Sequence, residues 1–235
     1  NAIIFCGHFT EEVKTYTRRE VASETRGQWY LRQIQGSSNL EGGRWFAPLG
    51  RHGPVAARGV PDGPDGDIDN ILEILLGALS VATRRARIVT PYFLPDSEVL
   101  RALHVAALRG VDVEIVFPGR SNVPLMDWAM TPQLPELIEK GCRVYFAPPP
   151  FDHSKLFVVD GTWSLIGSTN WDARSLRLNF EYNLECYDRD LATALDAIID
   201  AKIAVARPLG PDELQDLSFA VRLRNGVARL FSPYL

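Results

Sequence analysis

From Asp67 onward the chain alternates helix-like and strand-like periodicities, and that alternation limits it to layered α/β folds. Ile68, Ile71, Leu72, Leu75, Leu76, Leu79 and Ala82 recur on one helix face, which Asp67 or Asp69 can cap. Arg87–Thr90 reads as a short buried strand ending at Pro91. Asp96 caps a second helix that runs to Arg109 and is closed by Gly110. Val111–Phe117 is a β-rich strand. A third helix fits Leu125–Lys140, broken near Pro132 and Pro135, and Arg143–Phe146 is the next strand. Pro148-Pro149-Pro150 is a stiff, extended lead-in. Leu156–Val159 and Trp163–Ile166 form a hairpin around Asp160-Gly161, which makes the sheet mixed rather than purely parallel. Leu178–Tyr187 is a further strand, Leu191–Ala206 a helix and Phe219–Phe231 an amphipathic segment. The expected architecture is a mixed β-sheet flanked by helices, an α-β-α sandwich.

The beginning of the chain reads differently. Thr10–Gly43 is polar, and the Gly and Pro density from Pro48 to Gly66 forbids long regular elements, leaving Val55–Val60 as a short strand. We expect a poorly specified segment over 1–50, a catalytic unit over 51–207 and a helical tail over 208–235. Hydrophobic residues make up 46% and charged residues 23% of the chain, an ordinary folded balance. The net charge of −4 gives no broad basic surface, which disfavours generic nucleic-acid binding. Cys6, Cys142 and Cys186 have no metal-binding spacing, and their odd, unclustered number fits a reducing compartment. Cys142 and Cys186 read as small core residues on strands. No run of 18 apolar residues occurs, so no bilayer span is expected within the sequence. The first residue is Asn1, and we expect a fragment or processed product.

One constellation carries chemistry. His153, Lys155, Asp160, Gly167, Ser168 and Asn170 follow the spacing H-x-K-x4-D-x6-G-S-x-N. Residues two apart on a strand share a face, so His153 and Lys155 project together. The strand after Asp160-Gly161 returns Gly167, Ser168 and Asn170 toward them. An imidazole, an ammonium, a hydroxyl and a carboxamide suit a tetrahedral phosphate whose oxygens gain charge in the transition state. A neutral imidazole can attack phosphorus to give a phospho-histidine. Gly167 would let the backbone approach the bound group. Glu181 lies 28 residues after His153 and is the candidate carboxylate on the far ring nitrogen; Glu185 and Asp188 are rivals further along. Six specified residues at fixed spacing arise by chance in such a chain on the order of once in 10⁵. His8, His52 and His104 read as packed or surface residues, His104 falling among Leu100, Leu103, Ala107 and Leu108.

This segment resembles the HKD motif of the phospholipase D superfamily, with all six positions in place. The stretches DGPDGDIDNILEILLGAL, RIVTPYFLPDSEVLRAL, AALRGVDVEIVFPGRSN and DARSLRLNFEYNLECYD resemble the C-terminal half of bacterial cardiolipin synthases. The resemblance implies a phospholipase D-like sandwich and a phosphatidyltransferase that forms cardiolipin from phosphatidylglycerol, or a related phospholipase, through a covalent phospho-histidine. It implies that one motif histidine attacks phosphorus while a second moves protons. The catalytic set would be His153, Lys155, Asp160, Asn170 and Glu181. Lys155 and Asn170 would bind phosphate oxygens with Ser168 assisting, and Glu181 would orient His153. Asp160 would act as a local organiser, since a carboxylate there repels phosphate. In two-motif relatives the C-terminal histidine is the acid/base, which points His153 to that role; a symmetric dimer leaves the assignment open.

No cofactor and no metal is implied. The expected partners are a phosphatidylglycerol-like phospholipid, a membrane surface and a second HKD half-site, supplied by an upstream segment or a second subunit. The expected location is the cytoplasmic face of a bacterial inner membrane, with any anchor outside this chain. The alternatives are a homodimeric phosphodiesterase or nuclease of the same superfamily, or a structural half inert by itself. These readings place His153, Lys155, Ser168, Asn170 and Glu181 in one cleft at an edge of the sheet.

Overall fold

The computed structural model describes residues 55–64, 69–210, 213 and 217–232. The expectations for residues 1–50, for Asp67 as a cap and for the last three residues lie outside them. The described residues belong to one compact unit, Val55–Leu235. Its centre is an eight-stranded sheet ordered β1-β9-β7-β6-β2-β4-β5-β10. These strands are β1 (Ala56–Asp62), β2 (Arg85–Val89), β4 (Asp112–Pro118), β5 (Arg143–Ala147), β6 (Leu156–Val159), β7 (Trp163–Gly167), β9 (Glu181–Tyr187) and β10 (Arg207–Pro208). β2, β4 and β5 run parallel, and every other neighbouring pair is antiparallel. Two short strands, β3 (Phe93–Leu94) and β8 (Trp171–Asp172), pair in parallel beside it. The expected mixed sheet is the one observed.

Alternation along the strands builds two apolar layers. Ile88, Ile115, Phe157 and Leu165 face the larger core, which α1 (Asn70–Val81), α2 (Ser97–Leu108), α3 (Pro124–Met130) and α4 (Leu134–Glu139) cover. Val89, Val116 and Val158 point the other way, onto Ala192, Leu195 and Ile199 of α6 (Arg189–Val205). The parallel strands β2 and β4 are buried on both faces, as central strands of βαβ units are, while β5 is partly buried. The third expected helix is broken as its prolines demand, a 3₁₀ turn over Thr131–Gln133 separating α3 from α4.

Several details depart from the sequence reading. Asp69 holds the N-cap position of α1 with a left-handed φ of 67° but makes no side-chain cap. Asp62, at the end of β1, instead accepts the Ile71 amide at 3.3 Å. Asp96 begins α2 without capping it and pairs with Arg177 at 2.7 Å. Leu178–Phe180 is not strand, and a short helix, α5 (Ala173–Arg177), precedes it. Arg87 lies in the middle of β2, is 2% exposed and binds Glu114 at 2.7 Å, Asp196 at 3.0 Å and Asp200 at 2.5 Å. It ties two strands to α6, and removing Glu114, its buried partner, costs about 3–5 kcal/mol. His104 is buried and beside Glu136, the packed role expected for it. Cys142 and Cys186 are buried thiols.

Asp160 is the main correction to the candidate site. It occupies the β6–β7 turn with φ of 54°, followed by Gly161 at 65°. One carboxylate oxygen accepts the Arg84 and Arg85 amides at 2.8 Å each; the other accepts the Thr83 amide at 2.9 Å and its hydroxyl at 2.8 Å. This turn lies at the opposite end of β6 from His153, so Asp160 touches no group bound there and leaves the catalytic set. Partial burial would raise its pKa, but the bonds from Arg85, Thr83 and Arg84 outweigh it and hold the pKa below the usual 3.8. Replacing Asp160 with alanine strands four donors and is expected to lower unfolding free energy by about 1–3 kcal/mol in urea titrations. Asp160→Asn keeps the left-handed turn and should cost less. The gap between wild type and Asp160→Ala should be full at neutral pH and shrink as pH falls below 3.8.

Candidate active site

The site forms where several strand ends meet. The C-terminal ends of parallel β2, β4 and β5 lie at the same end of the sheet as the start of β6, the end of β7 and the start of β9. The register fixes this: Val89 pairs with Leu156, Leu156 with Ile166, and Gly167 with Asn183. Open α/β sheets bind ligands beyond such carboxyl ends. The edge of the sheet at which these residues were expected is the end where the central strands meet.

His153 and Lys155 lie on the extended segment entering β6. The Lys155 ammonium is 3.0 Å from His153 Nδ1 and 3.3 Å from Nε2, and donates to the His153 carbonyl at 2.9 Å. The imidazole is also enclosed by rings, with Tyr92 edge-on at 5.8 Å and Phe151 tilted at 5.8 Å. Burial, reinforced by the Lys155 charge, lowers the His153 pKa to about 4, so the ring is neutral at pH 7. Lys155 is 8% exposed, and burial lowers its pKa to about 8 against the opposing pull of Glu181, Asp172 and Asp152. Asp152 steadies the loop: it accepts the Ser154 amide at 3.0 Å and hydroxyl at 2.6 Å and pairs with Lys202.

The remaining motif residues approach from β7–β8 and β9. Asn170 is 9% exposed; its amide donates to the Ser175 hydroxyl at 3.0 Å, leaving its second N–H, while its Oδ1 is buried without a hydrogen-bond partner. Ser175 in turn caps onto Asp172, its amide donating at 2.7 Å. Asp172 is 2% exposed, and burial raises its pKa to about 6, with Glu181 adding to the rise and Lys155 opposing it. Asn170, Ser175 and Asp172 therefore form one hydrogen-bonded chain, and Asp172 acts on Lys155 through its charge. The Ser168 hydroxyl accepts the Tyr182 amide at 3.0 Å, so it fastens the end of β7 to β9.

Gly167 has a different reason from the one expected. A Cβ there would lie 2.1 Å from Asn183 Oδ1 and 2.6 Å from its Cα. The buried Asn183 side chain crosses this position and donates to Thr169 at 2.6 Å, pinning the 167–169 strand end. Glu181 also differs from expectation. It accepts from Asn179 at 3.2 Å and acts electrostatically on Lys155, Asp172 and Asp62; no bond joins it to His153 among the described residues. Its rivals have structural work: Glu185 accepts from Trp163, Tyr187 and Arg58, and Asp188 caps α6.

Asp152 and Asp172 were missed by sequence reasoning, which placed the head-group pocket at loops that include Tyr92, Phe93 and Asn122. Asp172-x-x-Ser175 is a legible helix cap, and Asp152-x-Ser154 a legible Asx turn, but neither spacing announces a neighbouring lysine. Tyr92 donates to Asn122 at 2.6 Å. Asn122 and Phe151 both line an open cleft of about 220 Å³ with Arg120, Ser121 and Pro148–Pro150, so Tyr92 links the wall of that cleft to His153. The volume suits a small polar head rather than a drug-sized ligand of roughly 300–1,000 Å³.

This architecture is that of the phospholipase D fold. The Nuc protein of Salmonella typhimurium, a phospholipase D family member, superposes with a TM-score of 0.56 at 20% identity, over 66% of this chain and 98% of that one. Phosphatidylserine synthase of Haemophilus influenzae Rd KW20 gives a TM-score of 0.63 at 17% identity, over 89% of this chain and 54% of that one. Residues 75–203 match the family model described as cardiolipin synthase, PLD-like domain, and the chain belongs to that family. Among curated relatives, the major cardiolipin synthase ClsA of Bacillus subtilis is 35% identical over 190 residues, 81% of this chain and 39% of the relative. Cardiolipin synthase 2 of Staphylococcus epidermidis is 33% identical, over 82% of this chain and 39% of the relative. The chain thus spans about two fifths of the length of these relatives.

The electrostatics make a direct prediction. Followed by NMR, the His153 ring protons should titrate near 4, far below the usual 6.5. Lys155→Met should move that titration upward, because it removes a neighbouring positive charge. A ring that titrates at 6.5 in both proteins would contradict the geometry.

Proposed function

We propose that this chain supplies one half of a phospholipase D-type active site, in an enzyme that joins two phosphatidylglycerol molecules into cardiolipin. The observation that carries this reading is the Lys155 ammonium lying on a neutral, ring-enclosed His153, with Asn170 bonded through Ser175 to Asp172, whose charge acts on Lys155. Membership of the cardiolipin synthase, PLD-like family supports the substrate class.

In the first step a histidine nitrogen of one half-site attacks phosphorus. The P–O bond to the head-group glycerol breaks, and the other histidine gives the departing oxygen a proton. In the second step that histidine takes the proton from a hydroxyl of the acceptor phosphatidylglycerol, whose oxygen attacks phosphorus as the N–P bond breaks. We assign His153 the proton-transfer role. Its low proton affinity keeps it ready as a base at neutral pH, and a bound phosphodiester anion raises that affinity when an acid is needed. Lys155 and Asn170 hold the non-bridging oxygens, where charge grows in the transition state. The Tyr92–Asn122 cleft beside His153 receives the polar head of the departing or incoming alcohol. Ser168 assists by holding the loop, and Glu181 acts through Lys155.

The second half-site comes from a further segment of the intact enzyme or from a second subunit. The reaction takes place at the surface of the bacterial inner membrane, where the lipid lies. No helix among the described residues is long and apolar enough to cross a membrane.

Thin-layer analysis of phosphatidylglycerol incubated with the intact gene product tests the reading. Cardiolipin with release of glycerol is the expected result. Phosphatidic acid alone would favour the phosphodiesterase alternative, and no product would favour an inert structural half. His153→Ala should abolish turnover, while Lys155→Ala and Asn170→Ala should each lower the rate by about 10²–10³. Residues 1–235 alone, as a strict monomer by light scattering, should be inactive, because one imidazole cannot be bonded to phosphorus and carry the proton at once.

A further inference from the structure

Helix α7 (Phe219–Arg229) presents its apolar face outward. Its buried positions are Asn225 and Ala228, each 3% exposed, and Arg224 lies 4.4 Å over the ring of Trp128 on α3. Val221 is half-buried on that packed side, while the other large apolar residues are on the surface: Phe219 at 74%, Leu223 at 57%, Val227 at 48% and Leu230 at 76%. At roughly 100° per residue this stripe is centred about opposite the Asn225–Ala228 pole. A helix that only packed on its domain would be turned the other way. The sequence from Phe219 to Phe231 holds Arg222, Arg224 and Arg229 and no acidic residue, within a chain of net charge −4. Arg222 and Arg229 follow one flank of the stripe and Arg224 the other. An apolar stripe bordered by arginines is the arrangement of a helix lying in a lipid head-group layer.

We propose that α7 is an interfacial helix that docks this domain on an anionic phospholipid surface, the apolar stripe entering the acyl boundary and Arg222 and Arg229 meeting lipid phosphates. The charge pattern selects this occupant: a second copy of the stripe would bring like charges together at its borders. Docking there has a consequence for the active site. α7 packs on α3, which begins two residues after Asn122, and Asn122 joins through Tyr92 to His153. The proposal stands independently of the chemistry assigned to His153.

The test uses the intact protein with an environment-sensitive fluorophore on Leu223→Cys, an exposed position whose change leaves the packed face untouched. Cys6→Ser removes one competing thiol. Cys142 and Cys186 are buried, with the Cys142 pKa raised to about 12, and do not label natively. Vesicles containing phosphatidylglycerol should shift the emission to the blue, and phosphatidylcholine vesicles should do so far less. Arg222→Ala with Arg229→Ala should raise the half-saturating lipid concentration by about ten- to thirtyfold. Unchanged emission with phosphatidylglycerol vesicles would overturn the proposal. So would a blue-shifted signal before lipid is added, whether constant or rising with protein concentration, because another protein surface would then cover the stripe.

Discussion

The Asp160 carboxylate, though it touches no substrate, sets where the active site can form. Its four hydrogen bonds lock the β6–β7 turn to the residues that lead into β2. That lock fixes the pairing of Ala86 with Val159, and every later pair up to Val89 with Leu156 follows from it. A slip of one residue would exchange the faces of β6 and move Phe157 from the larger core to the layer under α6. It would also bring Ser154 to the place of Lys155. The aspartate of the motif therefore acts through about four residues of strand, and its distance from the chemistry is how it works rather than an exception to it.

At the other end of β6 the balance of charge is tight. Lys155 is deep enough that burial lowers its pKa to about 8, yet Glu181, Asp172 and Asp152 pull it back toward the charged form. Asp172 is deep enough to reach about 6, and Lys155 restrains that rise. Each charge opposes the neutralisation of the other. In the proposed reaction an arriving phosphodiester would join this set as one more anion beside Lys155. The same arrangement explains why Glu181 matters without touching His153: it acts on the ammonium, and the ammonium acts on the ring.

Much of this was legible because it depended on local pattern. The period of the α1 residues, the Asp160-Gly161 turn and the H-x-K spacing each fix a local geometry, and the helix–strand alternation leaves few ways to assemble them. What could not be read depends on tertiary partners. Arg87 looks like a solvated residue at a strand start until Glu114, Asp196 and Asp200 are seen around it. Gly167 looks like room for a ligand until Asn183 is found filling that room. Asp62, Asp152 and Asp172 are ordinary acids in sequence; burial sets Asp62 and Asp172 apart, and the bonds to Lys202 and Ser154 set Asp152 apart. The amphipathic pattern at 219–231 showed that a stripe exists but not which pole packs, since an Asn–Ala pole on the domain runs against the usual expectation.

The proposed two-imidazole chemistry also gives a reason for the openness of the site. His153 is walled by Tyr92 and Phe151 on one side and capped by Lys155, but no carboxylate fixes its second nitrogen among the described residues. A ring left in that condition has its tautomer set by whatever approaches it. In a paired arrangement the approaching group is the phosphodiester held between two such ends, so proton placement and substrate binding become one event. In the Bacillus subtilis relative the matched part is 39% of the length, and the remainder is about one and a half times as long, enough for another domain of this size. A second sheet end supplied in that way would close over the first, exclude water from the phospho-histidine and so favour transfer to a lipid alcohol over hydrolysis.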